Sequence, residues 1–131
     1  MLFEKNIDTK LLSPLSLAFI GDAVYELYVR TFILSGGNTQ MSKANIKKQQ
    51  LVSAKYQALL IEKLIPLLTE DEIAVYKRGR NAKVSNIPKN AQISDYHSAT
   101  GFEALIGYLY LQHNMPRIEE LLMRLTPQID N

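Results

Sequence analysis

Apolar residues recur at helical spacing along the chain, and no segment shows the strict alternation of a half-buried strand. The first predicted helix begins after Ser13, a good N-cap, with Pro14 in its first turn. It runs to about Leu34, where the pair Gly36-Gly37 ends it. A second helix is expected to begin near Ser42.

The pattern continues with four more helices. The second helix breaks at Ser53 into a third, which ends around Pro66. Thr69 and Glu72 have the spacing of a capping box and begin a fourth helix, which runs into residues 78–80. After a stretch rich in Gly, Asn and Pro, residues 79–94, a fifth helix follows to about residue 112. A break at residues 114–116 precedes the last helix, whose apolar face consists of Ile118, Leu121, Leu122 and Leu125.

These elements predict an all-α fold, a helical bundle. A chain of 131 residues suits one domain, so residues 1–131 are expected to form a single domain. The stretch 79–94 reads as a long loop, and a loop of that length in a small domain is usually functional or disordered.

Composition narrows the class of protein. There is no cysteine, which excludes disulfides and thiolate metal sites. The first ten residues carry charges where a signal peptide would be apolar, and the longest apolar runs are too short to span a bilayer. We therefore expect a cytoplasmic protein with no membrane partner.

Basic residues are segregated from acidic ones. Residues 27–61 contain five basic residues and no acid, and residues 73–94 contain five more, again with no acid. Segregation on this scale favours a polyanionic partner. The alternative is that these are solvated faces with no ligand.

Two carboxylates stand alone in apolar helices. Asp22 is the only charge in residues 14–25, and Glu103 is the only charge in residues 99–111. Burying an unpaired carboxylate costs several kcal/mol, so each needs a cation, a proton or a water-filled cleft. A shared divalent cation meets this need, and oxygen-only ligation favours Mg²⁺, with Mn²⁺ as a substitute. The alternative is that both acids make helix-to-helix hydrogen bonds or reach the surface at a helix edge.

Glycines lie beside both carboxylates. Gly21 precedes Asp22, and Gly101 and Gly107 flank Glu103 on the same predicted helix. Glycine within a helix is unfavourable by about 1 kcal/mol relative to alanine, so its presence indicates a close approach of backbones. We expect these two helices to cross tightly near the carboxylates.

Two weaker candidates lie near the pair. Glu26 follows Asp22 by one helical turn and is either a further ligand, a group that bonds to the ligands, or an ordinary exposed acid. His97 lies at the start of the helix that carries Glu103. It either contacts the polyanionic partner, supports the ligands, or has a structural role.

The residues around both carboxylates resemble the two signature helices of the ribonuclease III catalytic domain. The first resemblance is carried by Phe-Ile-Gly-Asp-Ala at 19–23 and the second by Glu-Ala-Leu-Ile-Gly at 103–107, in the family's order and at a similar separation. The family's metal site usually has four acids, and two of those positions hold Ala18 and Thr100 here. The resemblance therefore leaves Asp22 and Glu103 as the catalytic and metal-binding pair, with Thr100 beside it.

Residues 78–83 and 97–111 further resemble Mini-ribonuclease III, the branch of this family that lacks a double-stranded-RNA-binding domain. That resemblance implies a homodimeric, Mg²⁺-dependent endoribonuclease that leaves 5′-phosphate ends on double-stranded RNA and matures the precursor of 23S ribosomal RNA. It also implies that Phe19 packs across the dimer interface; the alternative for this residue is ordinary core packing.

An enzyme without an accessory RNA-binding domain must hold the duplex with its own basic residues. The candidates in the predicted loop are Lys77, Arg78, Arg80 and Lys83, with Lys43 and Lys47 as second choices. Two other functions remain open at this point. One is a non-catalytic RNA-binding or ribosome-associated protein on the same scaffold, and the other is a helical protein-interaction module.

Overall fold

The structure is a computed structural model that describes residues 5–84, 87, 89 and 92–123. Every regular element in these residues is helical, which confirms the predicted all-α bundle. The six α-helices are α1 Pro14–Leu34, α2 Met41–Leu51, α3 Ala54–Leu64, α4 Glu70–Arg80, α5 Ile93–Leu111 and α6 Met115–Met123. Two 3-10 turns, Thr9–Leu11 and Ile65–Leu67, precede α1 and follow α3.

Helix α5 is the centre of the bundle. It packs against α1, α3, α4 and α6, and most of its side chains from Ala99 to Leu111 are buried. Phe102 packs edge-to-face on Tyr25 of α1, with 5.1 Å between ring centroids, and the Tyr25 hydroxyl donates to the Leu51 carbonyl at 2.8 Å. The helix that carries Glu103 is therefore held from several sides.

The predicted helix starts are confirmed by their hydrogen bonds. The Ser13 hydroxyl accepts from a backbone N–H in the first turn of α1, and Ser53 does the same for α3. Thr69 and Glu72 form the reciprocal bonds of a capping box at the start of α4. Gly37, three residues after the last residue of α1, has a φ of 105°. This left-handed backbone conformation favours glycine and is typical of the turn that follows a helix.

Helices α1 and α5 cross with almost no space between their backbones. A Cβ added to Gly21 would lie 1.7 Å from the Glu103 carbonyl oxygen, and one added to Gly107 would lie 1.9 Å from the Leu17 carbonyl oxygen. Each helix thus presents a glycine to the backbone of the other. The predicted tight crossing is confirmed for Gly21 and Gly107, whereas Gly101 does not take part in it, because it packs on Tyr76 of α4.

The prediction of a loop beginning at Gly79 is wrong. Helix α4 continues through Gly79 to Arg80, because this glycine packs on α5, where an added Cβ would lie 2.8 Å from that of Ala104. The tertiary contact offsets the low helix propensity of glycine. Residues 85, 86, 88, 90 and 91 of the predicted loop, and Leu125 of the last helix, lie outside the described residues.

Apolar residues around most of the circumference of residues 14–25 predict a largely buried helix, and this prediction is wrong for α1. The buried residues of α1 form a single stripe along the helix, which consists of Leu17, Ala18, Gly21, Tyr25 and Val29. Leu15, Phe19 and Leu27 are 41%, 84% and 55% exposed. The apolar residues of α1 therefore divide between a face on α5 and a face that no described residue covers.

One ion pair joins α6 to α4. The Arg117 guanidinium donates to both carboxylate oxygens of Glu72 at 2.8 Å and to the Leu67 carbonyl at 3.0 Å. Hydrogen bonding from Arg117 holds the pKa of the Glu72 carboxyl below its usual range. Among the described residues, no helix is long and apolar enough to cross a membrane.

Candidate active site

The crossing of α1 and α5 brings the two lone carboxylates together. Asp22 is exposed on α1 and Glu103 is half-buried on α5, and their carboxyl groups are in hydrogen-bonding contact. Because Gly21 and Gly107 let the backbones touch, the side chain of Asp22, which follows Gly21, meets that of Glu103, one helical turn before Gly107. The structure therefore brings together the two carboxylates, Asp22 and Glu103, that the sequence singles out.

The Glu103 carboxyl favours its protonated form in the metal-free protein. Burial raises its pKa to about 8, with further contributions from the charge of Asp22 and from their shared hydrogen bond. Near neutral pH, two carboxyl groups this close share one proton unless a cation stabilises both charges. Oxygen donors that repel each other and face solvent on one side fit a hard divalent cation.

Gln57 on α3 supports the pair, and the sequence analysis missed it. Its side chain is 2% exposed, and its Nε2 donates to the Val52 carbonyl at 3.0 Å and towards Glu103 Oε2 at 3.4 Å. The second bond joins residues 46 positions apart, so no local pattern could have indicated it. One sequence signal existed: a glutamine on the inward face of an amphipathic helix.

The two positions where the family usually has acids contribute no carboxylate. Ala18 and Thr100 are 7% and 6% exposed, and the Thr100 hydroxyl donates to the Tyr96 carbonyl of its own helix at 2.9 Å. In the part of the chain that the structure describes, no group of three or more His, Asp and Glu residues could hold a metal ion. A cation here would have two protein carboxylates and complete its coordination with water and substrate oxygens.

Glu26 is bonded to basic residues. Its Oε1 accepts from Lys48 at 3.0 Å and from Arg30 at 3.2 Å, and the bond from Lys48 is the main cause that lowers the pKa of Glu26. His97 is half-buried, and its Nδ1 has no hydrogen-bond partner among the described residues. The roles predicted for Glu26 and His97 at the metal site stay predictions.

The predicted RNA-contact residues lie on two elements. Lys77, Arg78 and Arg80 are in the last turn of α4, which corrects their assignment to a loop, and Lys83 follows that turn. All are exposed except Arg80, which lies 5.6 Å from the ring centroid of Tyr76 and donates to the Asn81 side chain. The second choices, Lys43 and Lys47, are exposed on α2.

Phe19 lies three residues before Asp22 on α1, and its exposure of 84% excludes core packing within one chain. Beside it, α1 and α6 form an apolar groove of about 640 Å³, whose lining includes Ile20, Val24, Leu27 and Ile118. An exposed phenylalanine next to an apolar groove is typical of a protein interface.

The raised pKa of Glu103 predicts a pH dependence of stability. Its pKa is near 4.5 in an unfolded chain and about 8 in the folded one, so the folded state binds the proton more tightly. The stability that this tighter proton binding contributes is fully present below pH 4.5 and is lost as pH rises to about 8. We expect the metal-free protein to lose thermal stability from about pH 4.5 to about pH 8, and divalent cations to restore it most at the upper end of that range. Differential scanning calorimetry of the wild type and Glu103→Gln tests this, since parallel profiles for the two proteins would contradict the assignment.

Comparisons with known proteins show to which family the chain belongs. Residues 15–114 match the ribonuclease III domain family, so the chain is a nuclease of the ribonuclease III class. Proteins named Mini-ribonuclease 3 are similar to it. That of Clostridium tetani is 48% identical over 88% of this chain and 77% of its own length. That of Staphylococcus aureus is 41% identical over 93% of this chain and 92% of its own length. The chain belongs to the Mini-ribonuclease 3 family and is an endoribonuclease.

The fold has a counterpart among solved structures. A crystal structure of a Fusobacterium nucleatum protein matches with a TM-score of 0.85 at 32% identity, over 92% of this chain and 97% of that one. The predicted resemblance is therefore confirmed for family and fold. A non-catalytic scaffold and a simple interaction module, the two alternatives left open by the sequence, are not favoured by these relatives.

Proposed function

We propose that this endoribonuclease cleaves double-stranded RNA with a divalent cation, Mg²⁺ or in its place Mn²⁺, held by Asp22 and Glu103. The observation that carries the proposal is the carboxylate pair at the glycine crossing, where the second negative charge is unfavourable unless a cation binds. Such a cation supplies Lewis-acid stabilisation of the phosphate and lowers the pKa of a water that attacks it. The products expected from this chemistry have 5′-phosphate ends.

The residues of the chain have distinct parts in this proposal. Asp22 is the exposed member of the pair, so it faces the side from which a phosphate approaches. Glu103 releases its shared proton when the cation binds, because the cation stabilises its ionised form. The fit of two carboxylates with space for water and a substrate oxygen agrees with the habits of Mg²⁺.

Cleavage of a defined duplex tests the proposal. A labelled RNA duplex is incubated with the protein in Mg²⁺, in Mn²⁺ and in chelator, beside the same RNA as a single strand. Cuts in the duplex that require the cation and carry 5′-phosphate ends are expected. An intact duplex in both cations would overturn the proposal.

The resemblance to the Mini-ribonuclease III branch supports a more specific substrate, the double-stranded ends of the 23S ribosomal RNA precursor. An enzyme with that substrate works where ribosomes are assembled, in the cytoplasm. A transcript that carries these stems should be cut at few positions. Uniform degradation along its length would contradict the assignment.

The basic residues at the end of α4 support electrostatic binding of the duplex. Replacing Arg78 with glutamine should weaken RNA binding for all sequences alike and reduce the slope of log K against log salt by about one, since one phosphate contact is lost. Filter binding in chelator at several salt concentrations measures the slope. Lys63→Gln on α3 is the control, and an equal change in that variant would show that only net charge matters.

We also propose that two copies form a homodimer through the exposed face of α1. The support is the 84% exposure of Phe19 and the neighbouring apolar groove, which together offer a side chain and a receiving surface on one molecule.

Substituting Phe19 with serine is therefore expected to weaken self-association roughly 30-fold or more, because a buried aromatic anchor contributes about 2 kcal/mol or more to an interface. Sedimentation velocity over a range of protein concentrations measures it. Ile46→Ser removes another exposed apolar side chain, 63% exposed on α2, and should leave association unchanged. A wild-type chain that remains monomeric would rule out the dimer.

A further inference from the structure

Gln57 is a buried amide with an incomplete set of partners. Its Nε2 has two acceptors, the carbonyl of Val52 at 3.0 Å and the carboxylate of Glu103 at 3.4 Å. Its Oε1 is buried and has no hydrogen-bond partner among the described residues. An unpartnered buried acceptor costs about 1–3 kcal/mol, so its retention at this position calls for an explanation.

The orientation of the amide follows from the chemistry of its neighbours. Both neighbours are acceptors, so the N–H₂ group must face them, and the reverse orientation would place two oxygens against oxygens. The bond to Val52 fixes the amide to the segment between α2 and α3, while the bond to Glu103 reaches α5. Oxygen Oε1 shares its amide carbon with Nε2, which lies 3.4 Å from Glu103 Oε2, so an enclosed water beside Glu103 is within reach of this oxygen and can donate to it.

The residue type also matters. A lysine or arginine at this position would neutralise the carboxylate and compete with a cation, and a further acid would increase the repulsion. A neutral donor favours the ionised form of Glu103 and adds no charge of its own. Glutamine therefore suits a site that must stay anionic until a divalent cation binds.

We propose that Gln57 is a positioning residue of the metal site, which orients the Glu103 carboxylate through its N–H₂ group and holds a water of the site through its carbonyl oxygen. This inference rests on the proposed metal-dependent nuclease function. It assigns a third helix, α3, to a site that the sequence places on two.

Metal binding in the absence of RNA tests this assignment. Free Mn²⁺ is titrated with protein and followed by electron paramagnetic resonance, for the wild type, Gln57→Met and Tyr56→Phe. Methionine keeps the length of the side chain and removes both hydrogen bonds. Tyr56→Phe is the matched control, because it removes a buried hydroxyl on the same helix that has no partner among the described residues.

We expect the dissociation constant for Mn²⁺ to rise about 10- to 100-fold in Gln57→Met, the usual effect of losing a group that orients a ligand, and to be unchanged in Tyr56→Phe. A folded Gln57→Met with wild-type affinity would overturn the assignment and leave the proposed function intact. A wild-type chain that binds no Mn²⁺ would overturn both.

A second measurement needs no variant of Gln57. The side-chain amide resonances of this residue in the wild type are expected to shift when Mg²⁺ is added, and to stay in place in Asp22→Asn. A purely structural amide that bonds only to Val52 would give no shift at saturating Mg²⁺. That result would overturn the inference even if Gln57→Met fails to fold.

Discussion

Asp22→Asn is expected to lower the rate of duplex cleavage at least about 10³-fold while the protein remains folded. A metal ligand at a phosphoryl site is worth several kcal/mol of transition-state stabilisation, and about 4 kcal/mol corresponds to three orders of magnitude in rate. Single-turnover cleavage of a labelled duplex in saturating Mg²⁺ measures the loss. Asp71→Asn is the control, because it makes the same change at an exposed acid in the first turn of α4.

This substitution has a second expected effect that separates it from simple damage. The charge of Asp22 helps to raise the pKa of Glu103, so its removal should relieve the repulsion in the metal-free protein. The variant is therefore expected to be at least as stable as the wild type near pH 8 in chelator. Inactivity with equal or higher stability is typical of a residue retained for function. Substantial cleavage by Asp22→Asn would instead exclude it from the site.

Gly21→Ala is expected to destabilise the fold by more than about 3 kcal/mol, although alanine is the better helix former. The added Cβ would lie 1.7 Å from the Glu103 carbonyl oxygen, and this contact is with backbone, which cannot rotate away. Helices α1 and α5 would have to separate along their main contact. Gly107→Ala should behave similarly, since its Cβ would lie 1.9 Å from the Leu17 carbonyl oxygen.

Chemical denaturation of purified variants measures this effect. Gly36→Ala is the matched control: its added Cβ meets no atom within 4 Å, so we expect a change within about 0.5 kcal/mol. If Gly21→Ala were as stable as Gly36→Ala, the close crossing of α1 and α5 would be wrong. Should the variant stay folded but lose cleavage, the crossing would still set the carboxylate separation.

Helix starts could be predicted from the sequence where the signal is local. Ser13 and Ser53 cap their helices with their own side chains, and the capping box at Thr69 involves residues only three apart. The carboxylate pair can also be identified from the sequence, because a single charged residue in an apolar helix is easy to recognise there. These predictions required no knowledge of which helices meet.

The failures concern contacts between distant residues. Gly79 looked like the start of a loop because its packing partner, Ala104, is 25 positions away. Gln57 was not recognised, since its bond to Glu103 depends on α3 meeting α5. The exposed face of α1 reads as core for a similar reason: an apolar residue such as Phe19 has the same pattern whether its own chain or another molecule covers it.

The direct contact of two backbones at Gly21 and Gly107 insulates the catalytic geometry from the rest of the interior. Where side chains separate helices, each change of volume shifts the spacing, whereas here a glycine of each helix meets the main chain of the other, which limits how far the spacing can change. Substitutions elsewhere in the sequence can then accumulate without changing the distance between the carboxyl groups of Asp22 and Glu103.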